Sequence, residues 1–189
     1  MGEAMDKFTI LSIKLDKIKD ERRDDVKREY DVLHEKLQNY LPKCEYWMDQ
    51  LKRVNLSIWE DQEKIRNMTT GENYGFLCEK IIKDNDDRFR IKRKINILFN
   101  SALREQKSYD PQIVVILCDR EFMDPDRIGK VRHLSIKFDQ IYLQVTPNSK
   151  EGVMRAFRDD PTIEYFDDFE KIESQLTKYQ IFDFRGQII

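Results

Sequence analysis

The sequence predicts an α+β protein: a long antiparallel helical hairpin of coiled-coil character, about three helices in all, followed by a small α/β domain on a parallel sheet. Three observations carry that expectation. Apolar residues recur at three- and four-residue spacing over most of residues 4–105, the period of a helix that buries one face. From Gln112 onward, short β-branched runs alternate with helical spacing, the layout of βαβ units. Between them, at Lys107–Pro111, the pattern changes character. Residues 1–108 are therefore expected to form the helical domain and residues 109–189 the α/β domain.

The first segment, Ala4 to Leu41, carries Phe8, Leu11, Leu15 and Ile18, then Val26, Tyr30, Leu33, Leu37 and Tyr40 on one stripe. The charged patch Lys19–Asp25 places Arg22 on that stripe, so the helix is expected to break or kink there, with Asp20 or Asp24 as the cap. Pro42 ends the segment, because proline disfavours helical geometry in the residue before it. A second helix is expected over about Glu45–Asn67, with Trp47, Leu51, Val54, Ile58 and Ile65 inward, and Thr69, Thr70 and Gly71 supply a turn. A third is expected over about Asn73–Glu105, with Leu77, Ile81, Ile91, Ile95, Leu98 and Ala102 on one face and Asp84 and Arg88 interrupting it with charge. So regular a repeat wants partners along its whole length. The helices are expected to pack on each other and, through their long faces, on a second copy as a homodimer.

In the C-terminal part, Gln112–Cys118 is a continuous apolar run, as for a strand buried on both faces. Asp124 is placed as an N-cap with Pro125 at the first helical position, ahead of Ile128, Val131, Leu134 and Phe138. Further strands are expected at Gln140–Val145, Thr162–Phe166 and Gln180–Phe184. Ser149 should cap a short helix through Arg158, and Asp167 or Asp168 should start another with Phe169, Ile172 and Leu176 inward. About four parallel strands with right-handed crossovers make half of a Rossmann-like sheet.

Composition excludes several classes of function. Hydrophobic residues at 40% suffice for a core, and charged residues at 37% point to solvated helices rather than disorder. A formal net charge of −2 gives no global basic field for nucleic acid. The most basic run, Arg88–Lys94, follows Asp84, Asp86 and Asp87 and has no stacking aromatic beyond Phe89, so no nucleic-acid partner is expected. Cys44, Cys78 and Cys118 lie far apart and offer neither a disulfide framework nor a metal motif, which suits a reducing, cytoplasmic setting. No signal-peptide core and no run of about 18 apolar residues occurs, so no membrane span is expected. His34 and His133 lack partners at metal spacing, and phosphate loops, nucleophile elbows and HExxH are absent. No catalytic residue, metal or cofactor is expected.

Two sets of residues remain as candidate sites. On the second helix Asn55, Trp59, Glu63 and Arg66 share one face, and on the third Asn85, Arg88, Lys92 and Asn96 do likewise. In a hairpin that turns near Gly71, positions whose numbers add to about 142 face each other. Asn55 would then lie near Arg88, and Trp59 near Asn85. One reading is an anion or sugar groove, with cations, amides and an aromatic plate converging. The other, which is favoured, is a structural polar network that fixes helix register. The second set lies where the strands end, because ligands of open α/β sheets bind beyond the carboxyl ends. It comprises Asp119, Thr146, Asn148, Ser149 and Arg185, most of which helix capping and a turn at Pro147 would also explain.

The helical part resembles a family of short bacterial proteins commonly encoded among surface-polysaccharide and lipopolysaccharide glycosyltransferases. The run Asp6-Lys7-Phe8-Thr9-Ile10-Leu11-Ser12-Ile13-Lys14 carries the resemblance, with Asn55-Leu56-Ser57-Ile58-Trp59-Glu60-Asp61, Asn85-Asp86 with Arg88, Lys92-Arg93-Lys94-Ile95-Asn96 and Glu105-Gln106-Lys107-Ser108-Tyr109. Ile58 stands where the pattern usually has leucine, a conservative change. Residues 110–189 are similar in layout to the first half of a two-domain glycosyltransferase, in which the second Rossmann domain mainly holds the nucleotide sugar. The resemblance implies that this chain alone lacks that donor domain. The expected function is a non-catalytic helical oligomerisation or scaffold protein of glycan biosynthesis. The alternatives are a minimal glycosyltransferase-like enzyme or nucleotide-sugar-binding protein, and a structural component of a larger assembly. A glycosyltransferase or a nucleotide sugar is the partner these readings imply.

Overall fold

In the computed structural model, which describes residues 1–68, 71–102, 105–118, 124–184 and 187–188, the chain divides into two units, Met1–Glu105 and Gln106–Ile189. The architecture is α+β: a helical unit, then a small, mainly parallel sheet with its helices.

The first unit contains α1 (Gly2–Lys17), α2 (Arg22–Leu37), a 3-10 turn at Leu41–Lys43, α3 (Glu45–Asn67) and α4 (Glu72–Leu98). The first expected helix is thus two. Ile18 leaves helical geometry at φ −86° and ψ 126°, and Asp20 accepts hydrogen bonds from the Arg22 backbone N–H at 3.1 Å and from its Nε at 2.9 Å. A carboxylate one residue ahead of the cap position satisfies a free N–H that no helical carbonyl can reach. Leu37 is the one fully buried residue of α2. That helix rests on α1 through stacked rings, Phe8 on Tyr30 with centroids 4.7 Å apart and Phe8 on His34 at 5.8 Å.

α3 and α4 pack antiparallel in the register that the turn near Gly71 predicts. Lys94 Nζ lies 5.4 Å from the Trp47 ring centroid, Ser57 Oγ donates to Asp84 at 2.7 Å, and Lys80 pairs with Asp61 at 2.5 Å. Each pair falls within one of the expected sum. Thr69 and Thr70 of that turn lie outside the described residues. α1 lies across both arms, and Met5, Trp47, Leu51, Ile91 and Ile95 are fully buried. Each such side chain contributes about 1.5–3 kcal/mol relative to exposure.

The spacing carries α4 on to about Glu105, but it stops at Leu98. Asn100 adopts φ 45°, the left-handed region that asparagine tolerates better than most residues. Ser101 N–H bonds back to Asn96 O at 2.8 Å and Asn100 N–H to Ile97 O at 3.0 Å, a Schellman closure of the last turn.

The second unit runs β1 (Ile113–Leu117), α5 (Pro125–Lys137), β2 (Gln140–Gln144), α6 (Lys150–Ala156), β3 (Ile163–Phe166), α7 (Glu170–Glu173), β4 (Gln180–Asp183) and β5 (Gln187–Ile188). The sheet order is β3-β2-β1-β4-β5. The four expected strands are parallel, and the unexpected β5 pairs antiparallel with β4. Val114, Val115 and Ile116 of the central strand are fully buried, as its unbroken apolar run requires. Asp124 caps α5 as expected, accepting from Asp126 N–H at 2.9 Å behind Pro125. α7 is a single turn, shorter than the spacing through Leu176 predicts.

Buried carboxylates hold the amino ends of the strands. Asp139 accepts from Gln112 N–H at 2.9 Å; Asp160 accepts from Thr162 N–H at 3.0 Å, Thr162 Oγ1 at 2.8 Å and Ser135 Oγ. Among the described residues, no helix is long and apolar enough to cross a membrane.

Candidate functional site

The polar stripes of α3 and α4 converge on a residue of α1. Asp6 is 3% exposed, and its Oδ1 accepts from Asn55 Nδ2 and from Arg88 Nε, each at 2.9 Å. A second Arg88 nitrogen bonds Oδ2, so the guanidinium grips the carboxylate at both oxygens. Asn55 also donates to Thr9 Oγ1 at 2.9 Å, and Thr9 Oγ1 donates to the Asp6 carbonyl at 2.8 Å. The helical spacing puts Asn55 beside Arg88; the structure joins the two through Asp6. Asp6 and Thr9 belong to the run that carries the family resemblance and to neither candidate set. Their signal lies in sharing a face one turn apart on the most apolar helix.

One to two turns further along α4, Lys92 and Asn96 also turn to α1. Lys92 Nζ pairs with Glu3 at 2.7 Å and Glu105 at 2.6 Å. Burial pulls the Lys92 ammonium down, but the bonds from Glu105 and Glu3 outweigh it, and the net pKa lies above the ordinary lysine value. Asn96 is 4% exposed and accepts from Gly2 N–H at 2.7 Å. Gly2 stands so close to α4 that a Cβ there would meet the Lys92 carbonyl at 2.6 Å.

A second network links α3 to α4 nearer the turn. Ser57 Oγ donates to Asp84 and accepts from Lys80 Nζ, and Lys80 also pairs with Asp61 and Asp84. Asp61 is 3% exposed and takes Lys64 at 2.8 Å. A serine beside a lysine is the geometry of a nucleophile and its base. Here burial lowers the Lys80 pKa, but the bonds from Asp61 and Asp84 raise it more, so the ammonium keeps its proton. A lysine so held cannot take the Ser57 proton near neutral pH.

The rest of the first candidate set does not join these networks. Glu63 and Arg66 are exposed. Asn85 donates to the Ile81 carbonyl of its own helix at 2.9 Å. Trp59 is half-buried, and its indole N–H is buried without an acceptor among the described residues. The basic run is largely spent inside the unit: Arg88 and Lys92 are paired, Arg90 bonds Asp87 at 3.4 Å, and Lys94 is 1% exposed beneath Trp47.

At the carboxyl rim of the sheet, a cleft of about 300 Å³ opens beyond β2 and β3, lined by Val145, Thr146, Pro147, Lys150 and Phe166, with Tyr165 and Asp167 at its side. Among the described residues of the second candidate set, Thr146 lines it. Thr146 and Ser149 close a turn on each other: Ser149 Oγ accepts from Thr146 N–H at 3.0 Å, and Thr146 Oγ1 accepts from Ser149 N–H at 3.2 Å. Ser149 holds the N-cap position of α6, but its side chain takes no helix N–H, because the turn uses it first. Asn148 is exposed, and Asp119 and Arg185 lie outside the described residues. No group of three or more His, Cys, Asp and Glu side chains among the described residues is placed to hold a metal ion.

No curated protein matches the chain, and no solved structure does. A family profile matches residues 2–119, which takes in every element of the helical unit and β1. The chain belongs to the family of unknown function DUF6165.

Proposed function

We propose that the helical unit is a non-catalytic assembly module and that its polar stripes lock the register of α1, α3 and α4. The observation that carries this reading is the sharing of Asp6 by Asn55 and Arg88. A groove built for a ligand would hold these donors open; here one buried carboxylate of the same chain consumes them. Buried polar residues that fit only one register cost little when all are paired and much when the helices slip. Partner binding falls instead to the outer surface of the long helices. Phe76 and Ile82 of α4 are 66% and 64% exposed, a placement that association with a second copy would relieve. The module acts in the cytoplasm as a homo-oligomer within surface-polysaccharide biosynthesis, a setting drawn from the resemblance of residues 4–109 to proteins encoded beside glycosyltransferases. Light scattering at tens of micromolar tests the assembly. A dimer mass that Phe76→Ser with Ile82→Ser reduces to monomer is expected; a strict monomer in the parent would overturn the oligomer reading. A thermal shift with nucleotide sugars that Arg88→Ala removes would overturn the lock.

A further inference from the structure

The second unit carries a feature that the assembly reading neither uses nor depends on. All four long strands run parallel, so their carboxyl ends share one rim. The chain turns from β2 into α6 and from β3 toward α7 at this rim, and the cleft of about 300 Å³ lies between those exits. Open α/β sheets take ligands beyond the carboxyl ends of their strands, typically where the strand order reverses, here between β1 and β4; this cleft shares that rim on its β2–β3 side. The volume sits at the lower end of small-molecule pockets, roughly 300–1,000 Å³, with room for a ring and one polar head rather than a dinucleotide.

The lining fixes the chemistry of the occupant. Val145 and Phe166 are buried at 6% exposure each and, with Pro147, give the cleft apolar walls. Burial pushes the Tyr165 phenol up to about 12, so it stays a neutral hydroxyl. Two charges line the cleft. Asp167 is matched from outside by Lys171 at 3.1 Å, and the bond from Lys171 holds its carboxyl below the usual range. Lys150 is exposed, and its ammonium has no acceptor among the described residues. The cleft thus carries one charge of each sign, and Asp167 is the one already paired, which leaves the Lys150 ammonium beside the apolar walls. The Thr146 hydroxyl is already engaged with Ser149, which leaves Lys150 to take the head of a ligand.

We infer that this cleft binds a small organic anion, a phosphoryl or carboxylate group on an apolar body, with Lys150 holding the anionic head and Phe166, Pro147 and Val145 the body. A lysine is a point charge that accepts either head, and the apolar side chains of Val145, Pro147 and Phe166 suit an apolar body.

Amide chemical-shift titrations of the full chain with phenyl phosphate, benzoate and benzyl alcohol test it, on the parent, Lys150→Ala and the exposed-helix control Lys130→Ala. Saturable shifts centred on the amides of Thr146, Lys150 and Asp167 are expected with one or both anions, and the tighter anion identifies the head. Lys150→Ala should weaken binding about tenfold or more, the scale of a hydrogen bond to a charged group. Lys130→Ala should bind as the parent does, and benzyl alcohol about tenfold more weakly than the better anion. Shifts that do not saturate by ~10 mM, a Lys150→Ala protein that binds like the parent, or equal binding of the neutral alcohol would each overturn the inference.

Discussion

Asn55 of α3 and Arg88 of α4 meet on a single atom, Oδ1 of Asp6 on α1, each at 2.9 Å. One residue therefore ties three helices. A one-residue slip of any of them rotates a donor or the acceptor by about 100° and leaves a buried charge without its partner.

Gly2 sets how closely α1 approaches α4. Its backbone N–H bonds Asn96 at 2.7 Å, and an added Cβ would sit 2.6 Å from a backbone carbonyl that no rotamer can move. Alanine gains at most about 1 kcal/mol of helix propensity, and overpacking typically costs about 1–3 kcal/mol. Gly2→Ala is therefore expected to destabilise the helical unit. Both tryptophans, Trp47 and Trp59, lie in that unit, so urea unfolding followed by their fluorescence reads it directly. An unchanged or raised midpoint would contradict the close packing.

Asp61 gives the helical unit an acid limb. Bonds from Lys64, then Lys80, hold its carboxyl below the ordinary 3.8. A depressed folded-state pKa means that this stability is complete above the unfolded value and is lost as pH falls through the folded one. The urea midpoint of the parent should fall more steeply below about pH 4 than that of Asp61→Asn, which starts lower at pH 7. Parallel pH profiles would remove Asp61 from the account.

Much of this fold was legible in the sequence, for identifiable reasons. α3 could be placed because its apolar face recurs from Trp47 to Ile65, with Asp61 as a charged interruption, and a Thr-Thr-Gly turn follows. The hairpin register followed from the turn alone, since two antiparallel rods have one free parameter once the turn is located. Two points were not legible. The end of α4 depended on Asn100 entering left-handed space, which apolar spacing does not report because Ala102 continues the stripe. The role of Asp6 depended on where a third helix docks. Spacing within α3 and α4 predicts which of their residues face each other, but not that a carboxylate arrives between them. Of the strand-end set, Thr146 lines the cleft; Lys150 and Phe166, which line it too, read in the sequence as a helix start and a core residue.

Cys44 is expected to be a slow thiol. Burial, then the Glu45 charge, pushes it up to about 11, so at pH 8 only about one molecule in a thousand carries the thiolate. Cys78 is half-buried. Timed iodoacetamide labelling with peptide mass analysis should modify Cys78 well before Cys44. Equal rates would mean that the Cys44 site opens far more often than its burial implies.

Trp59 offers the opposite test to the paired residues. Its buried N–H has no acceptor among the described residues, so Trp59→Phe deletes an unsatisfied donor while keeping an aromatic body. The expected change lies within about 1 kcal/mol of zero, because the loss of ring area and the relief of the orphan donor oppose each other. Unfolding followed through the remaining Trp47 measures it. A loss above about 2 kcal/mol would show that the indole N–H has a partner in solution.

The register lock itself is tested by a double-mutant cycle on Asp6→Ala, Arg88→Ala and the pair, with stability from tryptophan-monitored urea unfolding. Residues that share a buried charged hydrogen bond couple by about 0.5–3 kcal/mol. Arg88 is 26% exposed at its side chain, and solvent screens part of the interaction, so a coupling of about 1–2 kcal/mol is predicted. Each single variant should cost nearly as much as the double, because either one strands the other group. Additive losses with coupling below about 0.3 kcal/mol would contradict the lock and return Arg88 to the candidates for a ligand.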